Sequence, residues 1–106
     1  MLNQEIKQIL NRSQKHGWVL EPDAKHLLRL AGIKVPRFFW ATCVEDALDF
    51  ARQCKYPVVA KVVSPEVIHK SDVGGVVLGI TDEGDLTDTF EAFSTIQGFC
   101  GMLVEE

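Results

Sequence analysis

The chain has 106 residues, long enough for one domain with a single hydrophobic core and too short for two. Hydrophobic residues make up 46% of it and charged residues 25%, a balance that is ordinary for globular proteins and argues against disorder. Its net charge of −4, with no run of basic residues, argues against a nucleic-acid-binding surface.

The cysteines and the lack of export signals favour a cytoplasmic protein. Cys43, Cys54 and Cys100 are an odd number of thiols, and their spacing fits neither a zinc site nor a disulfide framework. No apolar run approaches the length of a transmembrane helix, and no signal peptide precedes the first predicted element. We therefore expect reduced thiols and no membrane partner.

Two helices are predicted in the first third of the chain. Gly17 can end the first helix, and His16 then has a structural position near the helix C-terminus. Residues Glu21–Asp23 open the second helix with proline in the first turn, and Gly32 ends it. The apolar residues at helical spacing are Leu2, Ile6, Ile9 and Leu10 in the first helix and Ala24, Leu27, Leu28 and Ala31 in the second.

An aromatic strand and a third helix follow. Pro36 precedes the predicted strand Arg37–Ala41, which fits a strand start because proline cannot donate to a ladder. Residues Thr42–Glu45 have the pattern of a capping box, so we expect this segment to start the helix. The inner face of the helix is predicted from its spacing to contain Ala47, Phe50, Ala51 and Cys54.

The central segment contains two predicted strands joined by a polar loop. Val58–Val63 and Val76–Ile80 are short, β-branched and bounded by proline or glycine, which predicts an antiparallel pair. Alternation places Lys61 on one face of the first strand, where a buried ammonium group needs an anionic partner. That partner is either a ligand or a carboxylate of the chain such as Glu105.

The loop between these strands, Ser64–Gly75, is longer than a tight hairpin requires. It contains a histidine, a lysine, two serines and the pair Gly74-Gly75, through which a ligand phosphate can approach backbone N–H groups. Neither the G-x-x-x-x-G-K-[ST] motif nor the G-x-G-x-x-G motif is present. Residues Asp72–Gly75 could also serve only to turn the chain.

The last third of the chain is predicted to contain a helix and a final strand. The acidic turn Thr81–Asp85 suits a helix start better than a metal site, so we predict no metal ligand here. Gly98 is predicted to end the helix, and Met102–Glu106 to form the strand. The inward residues of the helix are predicted to be Leu86, Phe90, Phe93 and Ile96. Together the elements predict an α+β fold, with helices packed on a small mixed sheet around an antiparallel central hairpin.

Two stretches of the central segment resemble a known family. Pro57–Lys61 followed by Ser64–Val76 is similar to the nucleotide-binding segment of ATP-grasp domains in ADP-forming acyl-CoA synthetases, the acetate–CoA ligase relatives of succinyl-CoA synthetase. The order S-P-x-x-x-H-K-S-D-x-G-G is much rarer than any of its parts. The resemblance implies that 1–106 is one partial ATP-grasp domain, with a helical lead-in at 1–32 and an α/β nucleotide-binding subdomain at 33–106.

The resemblance also implies roles for individual residues. Lys61 would contact the phosphates of ATP or ADP, the Gly74-Gly75 turn would fold over them, and His69 would relay a phosphoryl group as the catalytic residue. The final strand would form the hinge between two subdomains and meet the adenine. The implied nucleotide-binding residues are Lys61, Lys70, Ser71, Gly74, Gly75, Val104, Glu105 and Glu106.

By the same resemblance, the chain is the ATP-binding portion of a ligase that converts acyl-CoA, ADP and phosphate into the acid, CoA and ATP. Its expected partners are a nucleotide, a CoA-binding acyl-transfer subunit or domain, and a second ATP-grasp subdomain. Most ligands of the Mg²⁺ cofactor would lie outside this chain, which we expect to be inactive alone. Two alternatives stay open. One is a non-catalytic nucleotide-binding or subunit-docking module, and the other is a structural domain whose lysine and glycines serve only a hairpin.

Overall fold

The computed structural model describes residues 2–14 and 19–106. The chain divides into two compact units, Met1–Val35 and Pro36–Glu106. No helix within the described ranges is long and apolar enough to cross a membrane.

The first unit contains two helices, α1 (Leu2–Ser13) and α2 (Glu21–Leu30). Pro22 lies in the first turn of α2 as predicted. The carboxylates of Glu21 and Asp23 lie in the same turn, near the positive end of the helix dipole. Arg12 of α1 forms an ion pair with the buried carboxylate of Asp23, at 2.6 Å. The apolar stripes are only partly confirmed, because Ile9 is buried whereas Leu10 and Leu28 are exposed. The predicted end of the first helix at His16 and Gly17 lies outside the described residues.

The second unit contains a four-stranded sheet, two α-helices and a short 3₁₀ helix. In chain order its elements are β1 (Phe38–Ala41), α3 (Val44–Cys54), β2 (Val58–Val62), the 3₁₀ helix (Lys70–Val73), β3 (Val76–Ile80), α4 (Glu83–Phe93) and β4 (Met102–Glu105). These elements confirm the predicted α+β fold.

The sheet has the strand order β1-β4-β2-β3, and every pairing in it is antiparallel. The predicted mixed sheet is therefore wrong. Strands joined by a helix do run in the same direction, but neither such pair is adjacent. β4 lies between β1 and β2, and β2 lies between β3 and β4. Each helical crossover thus passes over one strand, which leaves only antiparallel neighbours.

The helices α3 and α4 contact each other and pack on one face of the sheet. The predicted inner face of α3 is confirmed, since Ala47, Ala51 and Cys54 are buried and Phe50 stacks on Phe39 at 5.8 Å between ring centroids. The strands contribute to this core Ala41, Val58, Ala60, Val62, Ile80, Met102 and Val104. Strand alternation then places Lys61 and Glu105 on the opposite face of the sheet.

The two helix starts differ from each other. In α4, the Asp82 carboxylate accepts a hydrogen bond from the Asp85 N–H at 2.8 Å, so the acidic turn does cap this helix. In α3, the N-cap residue is Cys43 rather than Thr42, and its side chain makes no capping hydrogen bond. The predicted capping box is wrong because the helix begins one residue later than the pattern requires.

Candidate functional site

Lys61 and Glu105 form an ion pair on the sheet face opposite α3 and α4. In the register of β2 and β4, Lys61 stands opposite Leu103 and Glu105 stands opposite Val59, so the two charged residues are diagonal neighbours. Long side chains reach across such a diagonal. The Lys61 Nζ lies 3.0 Å from Glu105 Oε1, with 27% of the lysine side chain and 8% of the glutamate side chain exposed. The partner that the sequence required for Lys61 is therefore present within the chain.

The base of the loop that follows β2 is anchored to the segment before β4. Val63 donates its N–H to Gly101 and accepts from the N–H of Cys100, each at 2.9 Å, which continues the strand pairing beyond β2. The buried Ser64 hydroxyl donates to the carbonyl oxygen of Gln97 at 2.7 Å. This hydroxyl also accepts from the N–H of Glu66 at 3.2 Å. The loop therefore leaves the sheet from a fixed point.

Gly98 is part of this anchor. Its φ of 73° belongs to the left-handed region. A Cβ there would collide with the Glu66 carboxylate and would lie 2.6 Å from the Ser64 hydroxyl oxygen. The prediction that Gly98 ends the helix is wrong, because α4 ends at Phe93 with Ser94 as its C-cap residue. The glycine instead lets two loops meet.

The tip of the loop carries the polar residues of the motif. His69 is exposed and precedes the 3₁₀ helix, and its carbonyl accepts from the N–H of Asp72 at 3.1 Å. Ser71 is exposed and Lys70 is half-buried. The structure thus places His69, Lys70 and Ser71 together on one short exposed turn.

The glycine pair has a conformational and a packing role in the turn. Gly74 has a φ of 70°, which side chains disfavour. A Cβ on Gly75 would collide with Val62 and would lie 2.9 Å from the Lys70 carbonyl oxygen. The N–H groups of Gly74 and Gly75 donate to the carbonyls of Ser71 at 3.2 Å and Lys70 at 2.7 Å. Both amides are therefore already used within the loop.

The end of β4 places its three predicted site residues in different surroundings. Val104 lies in the core, so its side chain does not face a ligand surface. Glu105 pairs with Lys61 on the other face. Glu106 accepts from the Arg37 backbone N–H at 2.9 Å and from the Arg37 Nε at 3.0 Å. These two hydrogen bonds, the backbone one foremost, lower the pKa of the Glu106 carboxyl.

Sequence reasoning missed Arg37 and Arg52 as partners. Arg37 reaches from the start of β1 to Glu106, which only the register of β1 with β4 brings near. Arg52 of α3 bonds Glu83 of α4 at 2.6 Å and Asp49 at 2.8 Å. The hydrogen bond from Arg52 lowers the pKa of Glu83. The spacing of Asp49 and Arg52 on one helix is the only sequence signal for either network.

A shallow cavity of about 160 Å³ lies on α3 and β1, away from the loop. It is lined by Phe39, Asp46, Asp49, Phe50 and Gln53. Within residues 2–14 and 19–106, no group of three or more His, Cys, Asp or Glu side chains is arranged to hold a metal ion.

Sequence comparison relates the chain to acyl-CoA ligases. The beta subunit of ADP-forming acetate–CoA ligase I from Pyrococcus furiosus is 47% identical over 78 residues, which cover 74% of this chain and 32% of that subunit. The chain therefore spans about a third of the length of this relative.

Solved structures give the same relation. ACD1 of Ca. Korarchaeum cryptofilum, in complex with coenzyme A, has a TM-score of 0.84 and 32% identity over 95% of this chain and 47% of its own. The dinucleotide-forming acetyl-coenzyme A synthetase 1 of Ca. Korarchaeum cryptofilum has a TM-score of 0.71 and 30% identity over 94% of this chain and 44% of its own. That structure contains coenzyme A and Mg-AMPPCP, and its phosphohistidine segment points towards the nucleotide-binding site.

The resemblance recognised in the central segment is thus confirmed across most of the chain. The sequence pattern of the ATP-grasp domain family matches residues 10–98, which include Lys61 and the whole of the loop that follows it. The relatives are ADP-forming acetate–CoA ligases, and this chain belongs to the ATP-grasp domain family.

Proposed function

We propose that this chain is the ATP-binding portion of an ADP-forming acyl-CoA synthetase. The complete enzyme would convert acyl-CoA, ADP and phosphate into the acid, CoA and ATP. The observation that carries the proposal is the position of Lys61, a half-buried ammonium on an inner strand next to the anchored loop of the family motif. A cation in such a place suits the phosphates of a nucleotide, because phosphoryl transfer depends mainly on positioning and charge neutralisation.

In this proposal, the strand and loop residues have different roles in binding the nucleotide. Lys61 and Lys70 supply positive charge, and the Ser71 hydroxyl donates to a phosphate oxygen. The amides of Gly74 and Gly75 donate within the loop, so the glycines act by shaping the turn. Val104 and Glu105 at the end of β4, with Glu106 directly after it, would form the hinge, where the backbone rather than the buried Val104 side chain would meet the adenine.

His69 is the proposed phosphoryl relay. It is exposed at the loop tip, so a ring nitrogen can be reached by a partner. A phosphohistidine of the CoA-binding partner would pass its phosphoryl group to His69, breaking one P–N bond and forming another. The group then moves to the terminal phosphate oxygen of ADP, which regenerates the neutral imidazole and yields ATP.

Mg²⁺ would neutralise charge on the nucleotide phosphates when bound. Following the family resemblance, we assign most protein ligands of Mg²⁺ to a second ATP-grasp subdomain. The chain spans just under half of the related structures it matches, and we propose that a second ATP-grasp subdomain completes the nucleotide site. We propose a cytoplasmic location, which the free thiols of Cys43, Cys54 and Cys100 support.

A titration with Mg-ATP, followed by heteronuclear NMR of the backbone amides, tests the nucleotide site. We expect shifts at Lys61, His69 and the glycine turn, with a dissociation constant on the order of 1 mM for half of a cleft. The variant Lys61→Met with Glu105→Gln should lose phosphate binding. Both residues are changed together because removing only one would leave a buried charge without its partner in the pair. Lys34→Met, a change at an exposed lysine, is the matched control. Unchanged spectra at several millimolar Mg-ATP would reject the proposal.

The relay requires the complete enzyme. In a ligase reconstituted with its CoA-binding partner, His69→Asn should abolish transfer of labelled phosphate from the partner to ADP, whereas His26→Asn on α2 should not. Full transfer by the His69 variant would remove the relay role and leave the nucleotide site intact.

A second candidate is a non-catalytic docking or nucleotide-binding module. Two observations favour it: Lys61 already has a carboxylate partner, and both glycine amides are bonded within the loop. This candidate predicts either no nucleotide-induced shifts or binding without phosphoryl transfer in the reconstituted enzyme.

A further inference from the structure

The Lys61–Glu105 ion pair has a consequence for how strongly the site can bind a phosphate. The glutamate side chain is 8% exposed, and the two residues belong to neighbouring strands whose register fixes their separation. A carboxylate with so little access to water loses much of its stabilisation if its cation turns to another anion. Any ligand that takes the lysine must therefore compensate for what the glutamate loses.

We propose that Glu105 is an internal competitor for Lys61, which lowers the affinity of the site for every ligand whose phosphate takes the lysine. The inference rests on the proposed nucleotide site. It assigns to Glu105 a role different from contact with the nucleotide, because the carboxylate acts through the lysine. Glu105 is thus a positioning residue rather than a catalytic one.

The geometry favours a role in which Glu105 competes with a phosphate for Lys61 over a role in which Glu105 only holds the lysine in position. An amide in place of the carboxylate has nearly the same size and shape, so the position of Lys61 is largely preserved. The charge of the pair changes from zero to +1, and the repulsion between the carboxylate and the incoming phosphate disappears. Removing the negative charge should therefore strengthen phosphate binding, whereas loss of a pure support would weaken it.

The ion pair between α3 and α4 provides the control for a general charge effect. Glu83 pairs with Arg52 and lies outside the proposed nucleotide site. Glu83→Gln makes the same change in net charge as Glu105→Gln, but it leaves Lys61 and its partner untouched.

The test compares wild type, Glu105→Gln, Glu83→Gln and the Lys61→Met/Glu105→Gln double variant in titrations with Mg-tripolyphosphate, Mg-ATP and adenosine. We expect Glu105→Gln to bind tripolyphosphate and ATP roughly tenfold more tightly than wild type, with adenosine unchanged. Glu83→Gln should show less than a twofold change, and the double variant should lose the gain. Equal or weaker binding of tripolyphosphate by Glu105→Gln would overturn the inference.

A second measurement does not depend on any variant folding. The carboxyl ¹³C resonance of Glu105 should shift when wild type is titrated with Mg-tripolyphosphate, because the ion pair opens, and a constant resonance under saturation would overturn the inference. Failure of the proposed function is a separate result, since it is judged by the binding of Mg-ATP to wild type. The inference is judged by the ratio between Glu105→Gln and wild type with tripolyphosphate.

Discussion

Two consecutive glutamates at the end of β4 have opposite environments. Glu105 points to the sheet face of Lys61 and has 8% of its side chain exposed, whereas Glu106 has 40% exposed. Lys61 is 27% exposed, and Arg37, the partner of Glu106, is 58% exposed. One ion pair is therefore largely shielded from water and the other is open to it.

This difference determines what each pair can do. A shielded pair is costly to break, because the charge left behind is poorly solvated. An exposed pair is screened by salt and by water, so it adds little to stability and mainly ties two segments together. The Arg37–Glu106 contact connects the entry of β1 to the end of β4, whereas the Lys61–Glu105 contact controls a charge beside the loop.

The largest expected effect comes from removing Lys61 alone. Lys61→Met leaves the Glu105 carboxylate buried without its ammonium partner, and we expect a loss of about 3 kcal/mol in unfolding free energy at neutral pH. Urea unfolding followed by circular dichroism measures it. The Lys61→Met/Glu105→Gln double variant should recover most of the loss. A single variant as stable as wild type would mean that the shielded pair is no different from the exposed one.

A smaller effect is expected at the exposed pair. Arg37→Met should lower stability by less than Lys61→Met does, and the difference from wild type should shrink further in 1 M salt, where the Debye length is about 3 Å. The deficit of Lys61→Met should persist at the same salt concentration. Urea unfolding midpoints of the two variants, measured at increasing salt concentration, test this difference. Equal salt sensitivity of the two variants would contradict the distinction between the pairs.

The smallest effect is expected in the pH dependence of Glu106. Its pKa in the folded chain is lowered from the ordinary value of 4.5, first by the Arg37 backbone N–H and then by the guanidinium. Its contribution to stability is therefore present above pH 4.5 and is lost as the pH falls through the lowered value. Wild type should lose more stability than Glu106→Gln between neutral and strongly acidic pH. Parallel curves for the two proteins would show that Arg37 does not act on this carboxyl.

Local patterns in the sequence were sufficient for most elements of the second unit. The β-branched runs predicted β2 and β3, and helical spacing predicted the buried face of α3. The need of Lys61 for an anion identified Glu105 as one possible partner, which the structure confirms. Each of these predictions depends on residues close in sequence or on the charge of a single side chain.

Other features depend on which strands become neighbours. No local pattern shows that β4 enters between β1 and β2, and this insertion makes the sheet antiparallel throughout. The same insertion brings Glu106 to Arg37. The internal hydrogen bonds of the Gly74 and Gly75 amides were also not predictable, because they follow from the 3₁₀ turn of the loop.

The sequence by itself determined the elements, the family motif and the requirement that Lys61 meet a negative charge, because these follow from periodicity and from the cost of burying an ammonium group. Only the tertiary structure decided which carboxylate meets it. The register between β2 and β4 sets Glu105 diagonal to Lys61, whereas Glu106, directly after β4, bonds Arg37 instead.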